Sequence, residues 1–173
     1  MPILARMKID AVKLLASVVE DYHSQLNEVE ATIGLLSAWP KDTEETALKL
    51  HGYPCAAIIK IAPYVQRVLG VEDVVITVDG PNWERATEAE RVALLDHELT
   101  HLELCVDENG AVKSDDAGRP KFRMRLHDFH VGGFVAVMDR HGLSAPETKL
   151  VRETVETYSQ LRLALEPAEA AKE

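Results

Sequence analysis

Apolar positions recur at helical spacing over residues 8 to 22, where Ile9, Val12, Leu15, Ala16 and Val19 form a stripe and Asp10, Lys13, Glu20 and Asp21 fall elsewhere. This predicts an amphipathic opening helix. The pattern then changes. Val29 to Leu36 carries β-branched residues and runs towards Trp39-Pro40, which predicts a strand. Residues 41 to 53 are polar and show no clear period. Cys55 to Ala62, bounded by Pro54 and Pro63, is a short apolar run that suits a strand or a short buried helix, and a strand is expected. Val74 to Val78 is a clearer strand, closed by the turn residues Asp79-Gly80-Pro81-Asn82.

After Trp83 a helix should begin. Thr87-Glu88-Ala89-Glu90 is a capping box with Thr87 at the N-cap and Glu90 at N3, and Val92, Leu94, Leu95, Leu99 and Leu102 follow at helical spacing. Beyond it, Asp107 to Gly110 and Asp115 to Gly118 are turn-rich and alternate with β-prone pieces around Val112 and over Phe122 to Leu126, which predicts a hairpin or a mobile excursion. Two further helices are expected over 128–141, closed by His141-Gly142, and over 145–164. Residues 1–165 read as one domain and residues 166–173 as a frayed tail.

The chemistry is concentrated in the second expected helix, where Asp96-His97-Glu98-Leu99-Thr100-His101 contains His-Glu-x-x-His. On a helix, residues i and i+4 share a face, so His97 and His101 can aim two imidazoles at one zinc ion. Glu98, one step round from His97, is placed to act as a general base without ligating the metal. Asp96 and Glu103 flank the motif with charge, where many such helices carry neutral groups.

A catalytic zinc takes three protein ligands and keeps one position open, so a third donor must come from elsewhere. His127-Asp128-Phe129-His130 supplies three candidates. His127 or His130 can complete a three-histidine site, while Asp128 can ligate directly or orient a ligand imidazole. Cys105 falls on the stripe of His101 if the helix continues that far, where it can serve as a soft ligand, though a small buried hydrophobe is its preferred role. His23, His51 and His141 lack partners at ligand spacing and are assigned surface or structural roles.

A length of 173 residues is enough to bury a core without disulfides, so metal is not needed to hold the chain together. With two cysteines, no signal-peptide layout and no long uncharged apolar run, the expectation is a soluble protein of a reducing compartment with no membrane partner. The net charge of -10 and pI near 5.2 disfavour binding to nucleic acid. The basic run Arg119 to Arg125 is read as a charged strand edge. Oligomeric state has no signature in the sequence.

Taken together, residues 50 to 142 resemble the phage metallopeptidase family, which is similar in style to the SprT-like zincins. The resemblance is carried by Gly52-Tyr53-Pro54, by Asp79 and Trp83, by Leu94 through Leu102 around the zinc motif, and by Leu126-His127-Asp128 with Gly133-Phe134 and Arg140-His141-Gly142. It implies His97 and His101 as ligands, Glu98 as catalytic base, and His127 in preference to His130 as the third ligand. It also implies a phage or prophage origin and a cytoplasmic protein of a bacterial host. Some relatives carry acidic residues where this chain has Gly132-Gly133, which puts more weight on His127. The resulting expectation is an α+β domain of minimal zincin type, a small sheet on the motif helix with additional helices, acting as a zinc metallopeptidase on a peptide or protein. The alternatives are a catalytically inactive zinc-bearing interaction protein and a zinc amidase acting on a small amide. The oxyanion stabiliser is open among His130, Tyr53 and Arg123.

Overall fold

The computed structural model describes residues 1–41, 46–127, 137, 140–144, 148–149 and 151–157. The chain divides into two compact units, Met1–Leu126 and His127–Glu173. In chain order the first unit contains β1 (Ile3–Arg6), α1 (Ile9–Tyr22), α2 (Ser24–Glu28), β2 (Ile33–Trp39), β3 (Lys49–Leu50), β4 (Tyr53–Pro54), β5 (Ala57–Ile61), α3 (Tyr64–Val68), β6 (Val74–Asp79), α4 (Gly80–Arg85), α5 (Glu88–Thr100), β7 (Leu102–Leu104) and β8 (Phe122–Met124). The fold is α+β, as the hydrophobic patterning predicts.

Four strands form the main sheet in the order β1-β2-β6-β5. β2 and β6 are parallel, with Ile33 opposite Val74 and Ala38 opposite Asp79, while β1 and β5 run antiparallel to their neighbours. Val74, Ile76 and Val78 of β6 are fully buried, consistent with an interior strand made of β-branched residues. α1 and α5 pack against each other, and α5 also meets β5. The core therefore joins Leu15, Val18 and Val19 of α1 to Leu95 and Leu99 of α5 and to Ile59 and Ile76 of the sheet.

One tight turn carries the chain from β6 into α4. Asp79 ends β6, and its Oδ1 accepts from the Asn82 N–H at 3.1 Å while Oδ2 accepts from the N–H groups of Ala47 and Leu48. The residues Asp79 to Asn82, expected as a turn, are thus the cap and first turn of α4, with Pro81 in the tolerated early position. A Cβ at Gly80 would lie 2.6 Å from the Trp39 ring, so only glycine lets α4 approach β2 this closely. Gly80→Ala is expected to cost about 1–3 kcal/mol by overpacking, a loss that a shifted urea midpoint would register.

α5 begins where the capping box places it. The Thr87 hydroxyl accepts from the Glu90 N–H, and the Glu90 carboxylate accepts from the Thr87 N–H at 2.7 Å. These backbone and hydroxyl donors hold the Glu90 carboxyl below the ordinary glutamate range. Its C-terminal end differs from expectation. The helix stops at Thr100 with His101 as C-cap, and Leu102 to Leu104 pair with β8 as a strand. Strand pairing overrides the helical spacing of Leu102, so Cys105 does not lie on the His101 stripe. Cys105 is partly exposed, and its backbone bonds to Lys121 and Lys113.

The turn-rich segment after β7 is an ordered hairpin excursion. Val106 bridges Val112 and Ser114 bridges Pro120, with Gly110 and Gly118 at positive φ in the two turns. In the second unit, residues 137, 140, 141, 148, 149 and 151–157 are helical, Gly142–Ser144 form a 3-10 turn, and Gly142 has φ of +51°. Gly142 thus adopts the left-handed conformation expected of a residue that closes a helix. The expected tail, 166–173, lies outside the described residues. Among those that are described, no helix is long and apolar enough to cross a membrane.

Candidate metal centre

The last two turns of α5 divide their side chains between two faces. Leu95 and Leu99 are fully buried against the sheet and α1, while His97 and His101, one turn apart, face away from that core. The two rings are 5.1 Å apart between centroids and nearly perpendicular. Glu98 lies at the seam between the faces and is only 6% exposed. Burial pushes its carboxyl above the ordinary glutamate range, and His101 and the Ile59 backbone of β5 offset part of that push.

His101 is oriented by a backbone group. Its Nδ1 lies 2.8 Å from the Arg125 carbonyl oxygen, which can only accept, so a neutral ring carries its proton on Nδ1 and presents Nε2 as the basic nitrogen. The Arg125 N–H donates back to the His101 carbonyl at 2.7 Å. This pair extends the β7–β8 ladder by one step and delivers the chain to His127, two residues further on. Ligand-capable nitrogens of His97, His101 and His127 all lie within 4.8 Å of one another. Three imidazoles converging in this way fit the donor set and number of a zinc ion with an open position.

A family model described as Putative phage metallopeptidase matches residues 8–159. The chain belongs to this family. No curated protein and no solved structure matches it. The name of this metallopeptidase family implies a metal ion and a peptide or protein substrate, and it agrees with the resemblance read from residues 50 to 142.

Of the other candidate ligands in this phage metallopeptidase chain, Asp128 and His130 lie outside the described residues. The flanking charges of the motif are both engaged. Asp96 Oδ1 lies 2.8 Å from Nε2 of His23, a buried histidine at the junction of α1 and α2, so His23 has the structural role expected of it. Glu103 on β7 receives two hydrogen bonds from Arg123 on β8, at 2.9 and 2.7 Å. The guanidinium of Arg123 is thereby committed to the hairpin, and Tyr53 is 76% exposed. The Arg125 carbonyl and the Ile59 backbone were not legible as site groups, because a backbone contact leaves no mark on residue identity.

Proposed function

We propose that this chain is a zinc-dependent metallopeptidase in which His97, His101 and His127 hold the metal and Glu98 is the general base. The observation that carries the reading is the convergence of three imidazoles beside a buried glutamate whose pKa is raised. A zinc ion held by these three histidines would supply Lewis acidity, activating a water at neutral pH and polarising the carbonyl to be attacked. Glu98 takes the proton from the attacking water and returns it to the departing amine. His101, held by the Arg125 carbonyl, keeps its ring orientation throughout.

A peptide is favoured over a small amide by the position of β5. Among the described residues β5 is an edge strand of the main sheet, and its Ile59 backbone reaches Glu98. An extended peptide can add to such an edge as a further strand, which brings its backbone alongside the glutamate.

The deciding experiment is elemental mass spectrometry of wild type, Glu98→Gln and a His97→Ala, His101→Ala double variant. About one zinc per chain is expected in the first two and none in the third. Equal zinc in all three would overturn the site.

A further inference from the structure

A second group of charged residues lies in the first unit, away from the imidazoles. Asp73, at the start of β6, is 1% exposed and Arg67 on α3 is 7% exposed. Asp73 Oδ2 accepts from the N–H and the hydroxyl of Thr32 at 2.9 and 2.8 Å, and its Oδ1 accepts from Arg67 at 3.1 Å and pairs with Arg119 Nε at 2.8 Å. Arg67 also donates to the Asp115 carboxylate and, at 3.0 Å, to the Pro120 carbonyl. Arg119 donates to the carbonyls of Arg67 and Val71 and to the Thr32 hydroxyl. Two cations and two anions thus bind one turn, Asp115 to Pro120, to the root of the main sheet.

That turn is one of a pair. Asp107 Oδ1 accepts from the N–H groups of Asn109 and Ala111, and Asp115 Oδ1 accepts from those of Ala117 and Arg119, with glycine at positive φ in each. The local geometry repeats after eight residues. Among the described residues, only the second turn is tied to the sheet by guanidinium groups, and the bonds recorded for Asp107 stay within its own turn. From Pro120 the chain runs through Lys121, whose N–H and carbonyl bond to Lys113 and Cys105, into β8, then to Arg125 on His101, and then to His127. Six residues, Lys121 to Leu126, separate the docked turn from the third imidazole, and the stretch from Lys121 to Arg125 is held by successive backbone bonds.

We propose that Asp73, Arg67, Asp115 and Arg119 are positioning residues for the metal centre, acting as a remote lock that sets where the β8 segment presents His127. The proposal rests on the reading of His97, His101 and His127 as metal ligands. A turn released from the sheet would let β8 slide or tilt, and a ligand moved by a fraction of an ångström binds zinc less tightly. None of the four is one of the clustered histidines, so their effect reaches the metal centre through β8, by way of His127 and of the Arg125 carbonyl that orients His101.

The test is zinc affinity of the 173-residue chain, by competition with a chromophoric chelator, for Asp115→Asn and for Asp107→Asn as the matched turn without the lock. Asp115→Asn is expected to weaken zinc binding by about 10- to 100-fold, the range found when groups supporting a ligand are lost. Asp107→Asn should change it by less than about twofold. In a His127→Ala background, Asp115→Asn should add clearly less than it does in wild type. Equal weakening in both backgrounds would overturn the lock and assign the loss to general destabilisation, as would unchanged affinity in a folded Asp115→Asn chain. Arg119→Lys, which keeps the charge but not the four-point contact, replaces Asp115→Asn if thermal unfolding shows that variant unfolded, with the same expected loss. If wild type takes no zinc, the metal-centre reading falls and the lock falls with it. If wild type binds zinc through all three histidines but the lock variants bind equally well, only the lock falls.

Discussion

Glu98→Gln is expected to keep its zinc and lose hydrolysis of a peptide substrate by about 10²- to 10⁴-fold, the usual contribution of a positioned general base. Glutamine is close to isosteric with glutamate and leaves His97, His101 and their buried neighbours Leu95 and Leu99 in place. A variant with zinc retained and activity within a fewfold of wild type would remove Glu98 from the mechanism. The same substitution has an effect without metal. Burial raises the Glu98 pKa in the folded chain, so the ionised form is disfavoured there relative to the unfolded chain. A raised carboxyl pKa gives stability that is fully present below the unfolded value and is lost as pH rises through the folded one. Glutamine does not titrate and avoids that loss. In chelator-treated protein, Glu98→Gln should therefore melt above wild type at neutral pH, and the gap should close as pH falls towards the ordinary glutamate range. A gap independent of pH would contradict the burial argument.

How much of this was legible in the sequence depends on which force fixes each part. The start of α5 was readable to the residue, because Thr87 and Glu90 form a closed local circuit of hydrogen bonds. The interior strand β6 was equally readable from its β-branched run. The end of α5 was not, because Leu102 satisfies the helical period and is still drawn into a strand by pairing with Met124 across 22 positions. Strand β1 escaped for a different reason. Its residues are all exposed, so Ile3 and Leu4 show no alternation to read. Helix α3 is five residues long and its buried side chain is Arg67, which runs against any apolar pattern. At the site, His97, Glu98 and His101 follow from local spacing. The approach of His127 depends on a hairpin whose length the sequence showed but whose register it did not. The basic run Arg119 to Arg125 was read as one charged strand edge, and it has two functions: Arg123 pairs with Glu103 on an exposed hairpin, whereas Arg119 enters the cluster around Asp73.

That division predicts a large difference between two arginines. Arg67→Met removes from the cluster the guanidinium that serves both Asp73 and Asp115, leaving a carboxylate that is 1% exposed with fewer partners. Breaking a buried pair from one side typically costs about 3–5 kcal/mol, because the remaining charge stays desolvated. Arg123→Met breaks an ion pair whose arginine is 66% exposed, and such solvent-screened pairs add little to stability. Equilibrium urea unfolding of the two variants should separate them by several kilocalories, and similar midpoints would mean that the cluster contributes little to holding the turn. Among the described residues, the Arg67 Nε is the one buried side-chain atom without a hydrogen-bond partner. The desolvation of Arg67 is therefore incompletely offset, and replacing the whole cluster with apolar residues need not destabilise the fold as breaking it does. Acid sharpens the comparison. Withdrawal from water pushes the Asp115 carboxyl up, but the Arg119 and Ala117 N–H groups and the two guanidinium groups outweigh it and hold the pKa below the ordinary aspartate range. A depressed folded pKa gives stability that is present above the unfolded value and is lost as pH falls through the folded one. Wild type should hold its stability to lower pH than Arg67→Met, whose Asp115 protonates earlier. Parallel acid limbs in the two proteins would show that Arg67 does not hold Asp115 in its charged form.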